Sequence, residues 1–222
     1  MSANFWFNII IFLVVFNFFF SSILEYLNDK SWKDKIPESF KDFYSKEKYK
    51  KAKNYKIESS RISLISSSIS IIVTTLILFF GVYGAVSDYL ASISDSTFVQ
   101  SGLFLFCFYI LNLILSIPIS FYSTFVLEDK YGFNKTTKKL FFIDLIKGFF
   151  MTILIGGVLL FFAVSLYELF NNGFWVWLWI GLSLFLIFVN TFYASLIVPI
   201  FNKLTPLEEG SLKSKIENYS RK

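Results

Sequence analysis

The stretch 149-FFMTILIGGVLLFFAVSLYELF-170, 171-NNG-173, 174-FWVWLWIGLSLFLIFVNTFYASLIVPI-200 decides the fold. Its only ionisable acid or base is Glu168. Each apolar part exceeds the ~20 residues that carry an α-helix across ~30 Å of hydrocarbon, and Asn-Asn-Gly between them is turn chemistry. Working outward, three more segments of this kind precede the pair, at about Phe5–Leu24, Ile62–Val86 and Phe98–Tyr122. None of the five contains Lys or Arg. Composition agrees: 55% of residues are hydrophobic, 21% aromatic and 30 are Phe, more than a water-soluble core of this size can bury. The expected fold is all-α and multi-pass, with five transmembrane helices over residues 1–222.

The charges fix the expected orientation. The connection Lys30–Arg61 holds 11 basic residues, Ser123–Gly148 holds 5 and the tail after Ile200 holds 5, which is all 21. The alternate connections, Ser87–Thr97 and Asn171–Gly173, hold none. By the positive-inside rule the N-terminus is lumenal, while the first and third connections and the C-terminus are cytosolic. The net charge of +5, divided among three loops, reads as attraction to an anionic leaflet of the lipid bilayer rather than nucleic-acid binding. Trp175, Trp177 and Trp179 read as interfacial anchors at the lumenal end of the fifth span.

Two polar regions carry structure of their own. Ser45–Ser60 reads as a basic helix within a cytosolic hairpin, with Phe40, Phe43, Tyr44, Tyr49 and Tyr55 laid against protein or headgroups and Glu47 placed to pair with Lys50 and Lys51. In the tail, Thr205, Pro206 and Glu208 form a capping-box start, and Leu212, Ile216 and Tyr219 recur at helical spacing as an apolar stripe in want of a partner.

Several chemistries are excluded. There is no His, so no imidazole zinc site or His-based acid–base mechanism exists within these residues. Glycine-rich phosphate loops and nucleophile elbows are absent, and the spans lack paired acids. The lone Cys107 cannot form an internal disulfide and reads as a small buried hydrophobe. Asn112 and Asn190, within spans, either face a hydrated cavity or bond between helices, the latter being the commoner arrangement. Gly81 and Gly84 suit close helix contact or bending.

The third connection is the informative one: Thr124-Phe125-Val126-Leu127-Glu128-Asp129-Lys130-Tyr131-Gly132-Phe133-Asn134-Lys135-Thr136-Thr137, continuing through Phe141 and Phe142 to Asp144-Leu145-Ile146-Lys147. On physical grounds it is a loop of mixed charge, with Gly132 and Asn134 as turn residues and Thr136 or Thr137 capping the next helix. It resembles the hallmark loop of the type 1 CaaX prenyl proteases, integral-membrane zinc metalloproteases that trim prenylated proteins. Two further segments match in order. Lys46–Tyr55 with Ser60-Arg61 resembles that family's first cytosolic loop, and Ile197–Gly210, with Pro199, Phe201, Lys203, Thr205 and Pro206, resembles the exit from its fifth helix. One small departure is Tyr131, where the family often has His.

The resemblance implies an endoplasmic reticulum membrane protein built as the N-terminal five-helix portion of such a protease. Complete relatives carry a zinc-binding His-Glu-x-x-His helix and remove the last three residues of prenylated CaaX proteins; that metalloprotease domain is absent from these residues. By the resemblance, Glu128, Lys130, Gly132, Phe133, Asn134, Thr137 and Asp144, with Pro199–Pro206, become docking or structural surfaces for a separate or downstream catalytic domain. No catalytic, metal or cofactor residue is expected in the chain itself, zinc belonging to the complete enzyme. A non-catalytic membrane scaffold derived from the protease and a small transporter are the alternatives; a transporter calls for charged or broken helices near the midplane.

Overall fold

The computed structural model describes residues 3–32, 36, 45–203, 205, 207 and 209–220. Among these, all regular structure is helical. Four continuous helical runs are long and apolar enough to cross a membrane, Phe5–Ser31, Lys46–Phe79, Thr97–Glu128 and Lys138–Phe201. The chain divides into two compact units, Met1–Thr137 and Lys138–Lys222, taken here in turn.

In the first unit, helix α1 (Ala3–Ser31) has 29 residues, about 44 Å at 1.5 Å per residue, so its last polar turns outrun the hydrocarbon. Helix α2 (Lys46–Phe79) begins at Ser45, whose hydroxyl accepts the Lys48 N–H at 3.3 Å. The basic segment and the second apolar segment are therefore one helix. The two helices pack through polar side chains at their charged ends. Lys56 Nζ reaches Glu25 at 3.1 Å, the Ser60 hydroxyl donates to Asp29 at 3.1 Å and Lys53 Nζ donates to the Trp32 carbonyl at 3.2 Å. Tyr49 lies against Trp32, ring centroids 5.6 Å apart. Phe40, Phe43 and Tyr44 lie outside the described residues.

The second span, expected over 62–86, is interrupted. Helix α2 stops at Phe79 and Gly81 adopts a left-handed φ of 65°, a conformation that costs glycine little. Ile62 to Phe79 already supplies about 27 Å of helix, so the break falls where the hydrocarbon ends. Helix α3 (Val82–Ile93) follows and turns most of the expected second connection into helix. It packs on α4 (Thr97–Tyr122) through Tyr83, whose ring lies 4.6 Å from that of Phe108, and Leu90 on it is buried. Ser96 caps α4, accepting the Val99 N–H.

Helix α4 also outruns its expected end. It continues as a wider, π-helical turn over Ser123–Glu128 and regains α geometry through Lys130. The charged residues Glu128, Asp129 and Lys130 are therefore helical rather than in a loop. Glu and Lys are good helix formers, so leaving the apolar phase does not end the helix. Cys107 is exposed on α4 rather than buried; facing lipid costs a thiol little, because it behaves as a small hydrophobe.

In the second unit, α5 (Lys138–Phe170) and α6 (Phe174–Phe192) are joined by a tight turn over Asn171–Gly173, with Asn171 at φ 50°. Side chains within about one helical turn of the connection meet across it. Phe170 stacks on Trp177 at 5.3 Å, Tyr167 meets Phe174 at 5.3 Å, and the ring of Phe162 lies where a side chain on Gly181 would project. The longest apolar run, Lys138–Phe201, is thus a helical hairpin. Helix α6 widens into a π-helical turn over Tyr193–Ile197 and ends in α7 (Val198–Phe201). The tail helix α8 (Ser211–Ser220) starts five residues later than the capping-box reading placed it. Thr205 is outside any helix, Pro206 and Glu208 lie outside the described residues, and Gly210 stands just before the observed start. Glycine's low helix propensity accounts for the delay.

Burial is sparse. Among the described residues the buried apolar side chains are Leu90, Leu127, Tyr131, Phe141 and Val164, whereas Phe79 and Phe80 are 70% and 71% exposed. Apolar surface of this extent suits lipid as solvent and not water.

Candidate functional site

The hallmark stretch folds around one carboxylate. Helix α4, carried on by its π-helical turn, delivers Lys130 and Tyr131 to Glu58 on α2. Lys130 Nζ lies 2.6 and 2.8 Å from the two Glu58 oxygens, and the Tyr131 hydroxyl donates to Oε1 at 2.9 Å. Tyr131 is only 7% exposed and the adjacent Leu127 3%. The chain then turns at Gly132, whose φ of 66° is left-handed. The Gly132 N–H donates to the Asp129 carbonyl and the Phe133 N–H to that of Glu128, both at 2.9 Å, which closes the helix. Asn134 Oδ1 accepts the Thr136 N–H at 2.7 Å, an Asx turn. Gly132 and Asn134 thus serve as the turn residues read from the sequence, and Thr137 directly precedes α5.

Aromatic rings seal the turn. Tyr55 of α2 meets Phe133 edge-on at 4.9 Å and Tyr131 at 5.5 Å. Lys51 lies 5.3 Å from the centre of the Phe133 ring, a cation–π distance. The exposed Lys130–Glu58 pair contributes little by itself; the buried Tyr131, packed against Tyr55 and the half-exposed Phe133, fixes the geometry that holds it. Hydrogen bonding to Glu58 raises the pKa of Lys130. Burial, and then the bond to Glu58, raises that of Tyr131.

In the second unit, the end of the hallmark stretch meets the helix-exit motif. Lys147 Nζ donates to the Ile200 carbonyl at 2.9 Å and lies 5.8 Å from the Phe201 ring. A cation at the end of α7 satisfies an otherwise orphan carbonyl. Pro199 occupies the first turn of α7, where its missing N–H is not needed. Lys203 and Thr205 are exposed, and Pro206 lies outside the described residues. Asp144, one turn from Lys147, has a carboxylate oxygen shielded from solvent with no hydrogen-bond partner.

The two span asparagines join neither cluster. Asn112 is exposed on α4, and Asn190 returns its amide N–H to the Leu186 carbonyl of its own helix at 2.8 Å instead of reaching another helix. Sequence reading missed Glu58, the acceptor on which the first cluster centres. The available signal was that Glu58 is the only acid between Glu47 and Asp88, within a basic run. It also missed the groove between α1 and α2, lined by Asn17, Ser21 and Glu25 on one side and Ser60, Ser63 and Ser67 on the other. The recurrence of hydroxyls at positions 60, 63, 67 and 70 of an apolar helix was its signal.

A zinc ion is the metal that the resemblance implies for complete relatives, and the side chains present do not fit one. Histidine is absent, and among the described residues no three metal-capable side chains come together.

Comparison with known proteins places these features in context. A family model described as CAAX prenyl protease N-terminal, five membrane helices, matches residues 25–203. The CAAX prenyl protease 1 homolog of Arabidopsis thaliana is 30% identical over 192 residues, covering 83% of this chain and 45% of its own length. The probable CAAX prenyl protease 1 of Schizosaccharomyces pombe is 33% identical over 204 residues, covering 85% and 42%. CAAX prenyl protease 1 of Saccharomyces cerevisiae is 30% identical over 214 residues, covering 91% and 47%. A crystal structure of S. mikatae Ste24p superposes with a TM-score of 0.83 at 30% identity, covering 96% of this chain and 52% of that one. The chain therefore spans less than half the length of these curated relatives.

Proposed function

This chain belongs to the CAAX prenyl protease family, and from that premise we propose that its 222 residues form the membrane domain of a protease that removes the last three residues of prenylated CaaX proteins. In this reading it crosses the endoplasmic reticulum membrane five times, once for each of α1, α2, α4, α5 and α6. Its N-terminus is lumenal, and its basic connections and C-terminus are cytosolic. The hydrolytic zinc and its ligands come from a catalytic half with which this domain associates, and these residues alone do not cleave. The observation that carries the reading is the match over residues 25–203, in which the hallmark residue Lys130 and its neighbour Tyr131 are gathered on Glu58.

Within that assembly, the ordered turn Glu128–Thr137 and the Asp144–Lys147 end of α5, with the Pro199–Pro206 exit, are docking surfaces for the catalytic half. The test is co-expression of this chain with the remaining C-terminal part of the S. cerevisiae relative, followed by pull-down and assay of a prenylated peptide. Association with restored cleavage supports the reading. Association without cleavage, or no association, contradicts it and leaves the stand-alone non-catalytic scaffold.

A further inference from the structure

Between α2 and the end of α4 lies a groove of about 660 Å³, open along one side, whose polarity changes along its length. Glu58, Arg61 and Lys130 ring one end; Ile62, Ile65, Pro118, Ile119 and Val126 wall the rest. From Lys130 back to Pro118 is twelve residues, about 18 Å of helix. Arg61 immediately precedes the apolar stretch that starts at Ile62, so the charged end stands at headgroup depth and the walls run into the hydrocarbon. The charged end carries two cations against one carboxylate, and that carboxylate already accepts from Lys130 and Tyr131. Arg61 also lines the α1–α2 groove, where Glu25 and Asp29 are engaged by Lys56 and Ser60, so it adds a cation at this end, on a guanidinium whose fork of donors matches a phosphate.

We propose that this groove is a binding site for an anionic phospholipid. Its phosphate is held at Arg61 beside Lys130, and one acyl chain lies along Ile62, Ile65, Pro118, Ile119 and Val126. The occupant follows from the arrangement. A free anion leaves the apolar walls unused, and a zwitterionic lipid brings with its phosphate an ammonium group that restores the positive charge at the mouth, whereas an anionic headgroup neutralises it. The size is that of ordinary ligand sites. Glu58 serves as the spacer that holds Lys130 in place and keeps the mouth from attracting anions too strongly to exchange. The proposal does not depend on any catalytic partner.

Native mass spectrometry of the full chain in detergent, titrated with phosphatidylserine, phosphatidylcholine of the same acyl chains, and inorganic phosphate, tests it. Phosphatidylserine is expected to bind at least tenfold more tightly than phosphatidylcholine, with inorganic phosphate unable to compete at equal concentration. Arg61→Gln should erase the preference, Arg61→Lys should keep part of it, and Lys215→Gln, on α8, should leave it unchanged. Ile65→Trp, which fills the groove and keeps the charges, should weaken both lipids, so the idea stays testable if Arg61→Gln does not fold. Equal binding of the two lipids by the unaltered chain would overturn the proposal, as would a preference untouched by Arg61→Gln and Ile65→Trp. Competition by inorganic phosphate would reduce the site to a simple anion site and also overturn it.

Discussion

Tyr131 puts a phenol among the rings of Tyr55 and Phe133 while its hydroxyl reaches Glu58. That combination makes a measurable claim about pH. The raised values of Lys130 and Tyr131 mean that the folded cluster favours the protonated form of both. Their contribution is complete at neutral pH and persists up to the ordinary lysine and tyrosine range of about 10. It is lost only as pH rises through the higher folded values. In an absorbance titration of tyrosinate, one tyrosine should ionise after the exposed ones, and Tyr131→Phe should delete that late step. The same variant should lose about 0.5–1.5 kcal/mol, the net value of one hydrogen bond, since the ring remains. An unchanged titration curve would show that the hydroxyl is not held as described. At this scale, turn chemistry was legible in the sequence, because Gly132 and Asn134 act on their immediate neighbours. Glu58 was not, because its partners lie 72 and 73 residues away and a single sequence gives no sign of such pairing.

Among the elements, periodicity located the helices but not their ends. It has no means of telling where a helix leaves the membrane. Glu128–Lys130 is charged, so it reads as loop, yet it extends α4, and Lys138–Lys147, read only as a capped lead into the fourth span, is part of α5 itself. Conversely, Gly81 sits inside an apolar run and ends α2 by its backbone conformation, which hydropathy ignores. Close approach is equally invisible to hydropathy. A Cβ placed on Gly181 would lie 2.5 and 2.8 Å from ring atoms of Phe162, too near to coexist without a shift of the ring or the helix. Gly181→Ala should therefore destabilise the α5–α6 hairpin by about 1–3 kcal/mol, the usual cost of overpacking. Phe162→Ala in the same chain should recover much of that loss, read as coupling in a double-mutant cycle on thermal stability in detergent. Simple additivity of the two changes would mean that the helices do not meet there.

For the whole molecule, the distribution of charge and apolar surface was the most legible property of all. Long apolar helices recur, their large side chains stay exposed, and every Lys and Arg falls in alternate connections. What remained hidden was the way the polar ends lock together, as in Lys56 with Glu25 and Ser60 with Asp29, since many basic residues offer equivalent partners on paper. Membership of the protease family gives these ends a proposed use, on the side of the membrane from which a catalytic half would approach. That use requires all the basic connections to share one aqueous face. Single cysteines at Lys48, Lys138, Lys215, Asp95 and Asn172, in a Cys107→Ser background and in sealed microsomes, can be probed with a membrane-impermeant thiol reagent. Labelling of positions 48, 138 and 215 without detergent, with 95 and 172 labelled only after permeabilisation, is the predicted result. Protection of position 48 or 138 in intact vesicles while the other labels would contradict the account.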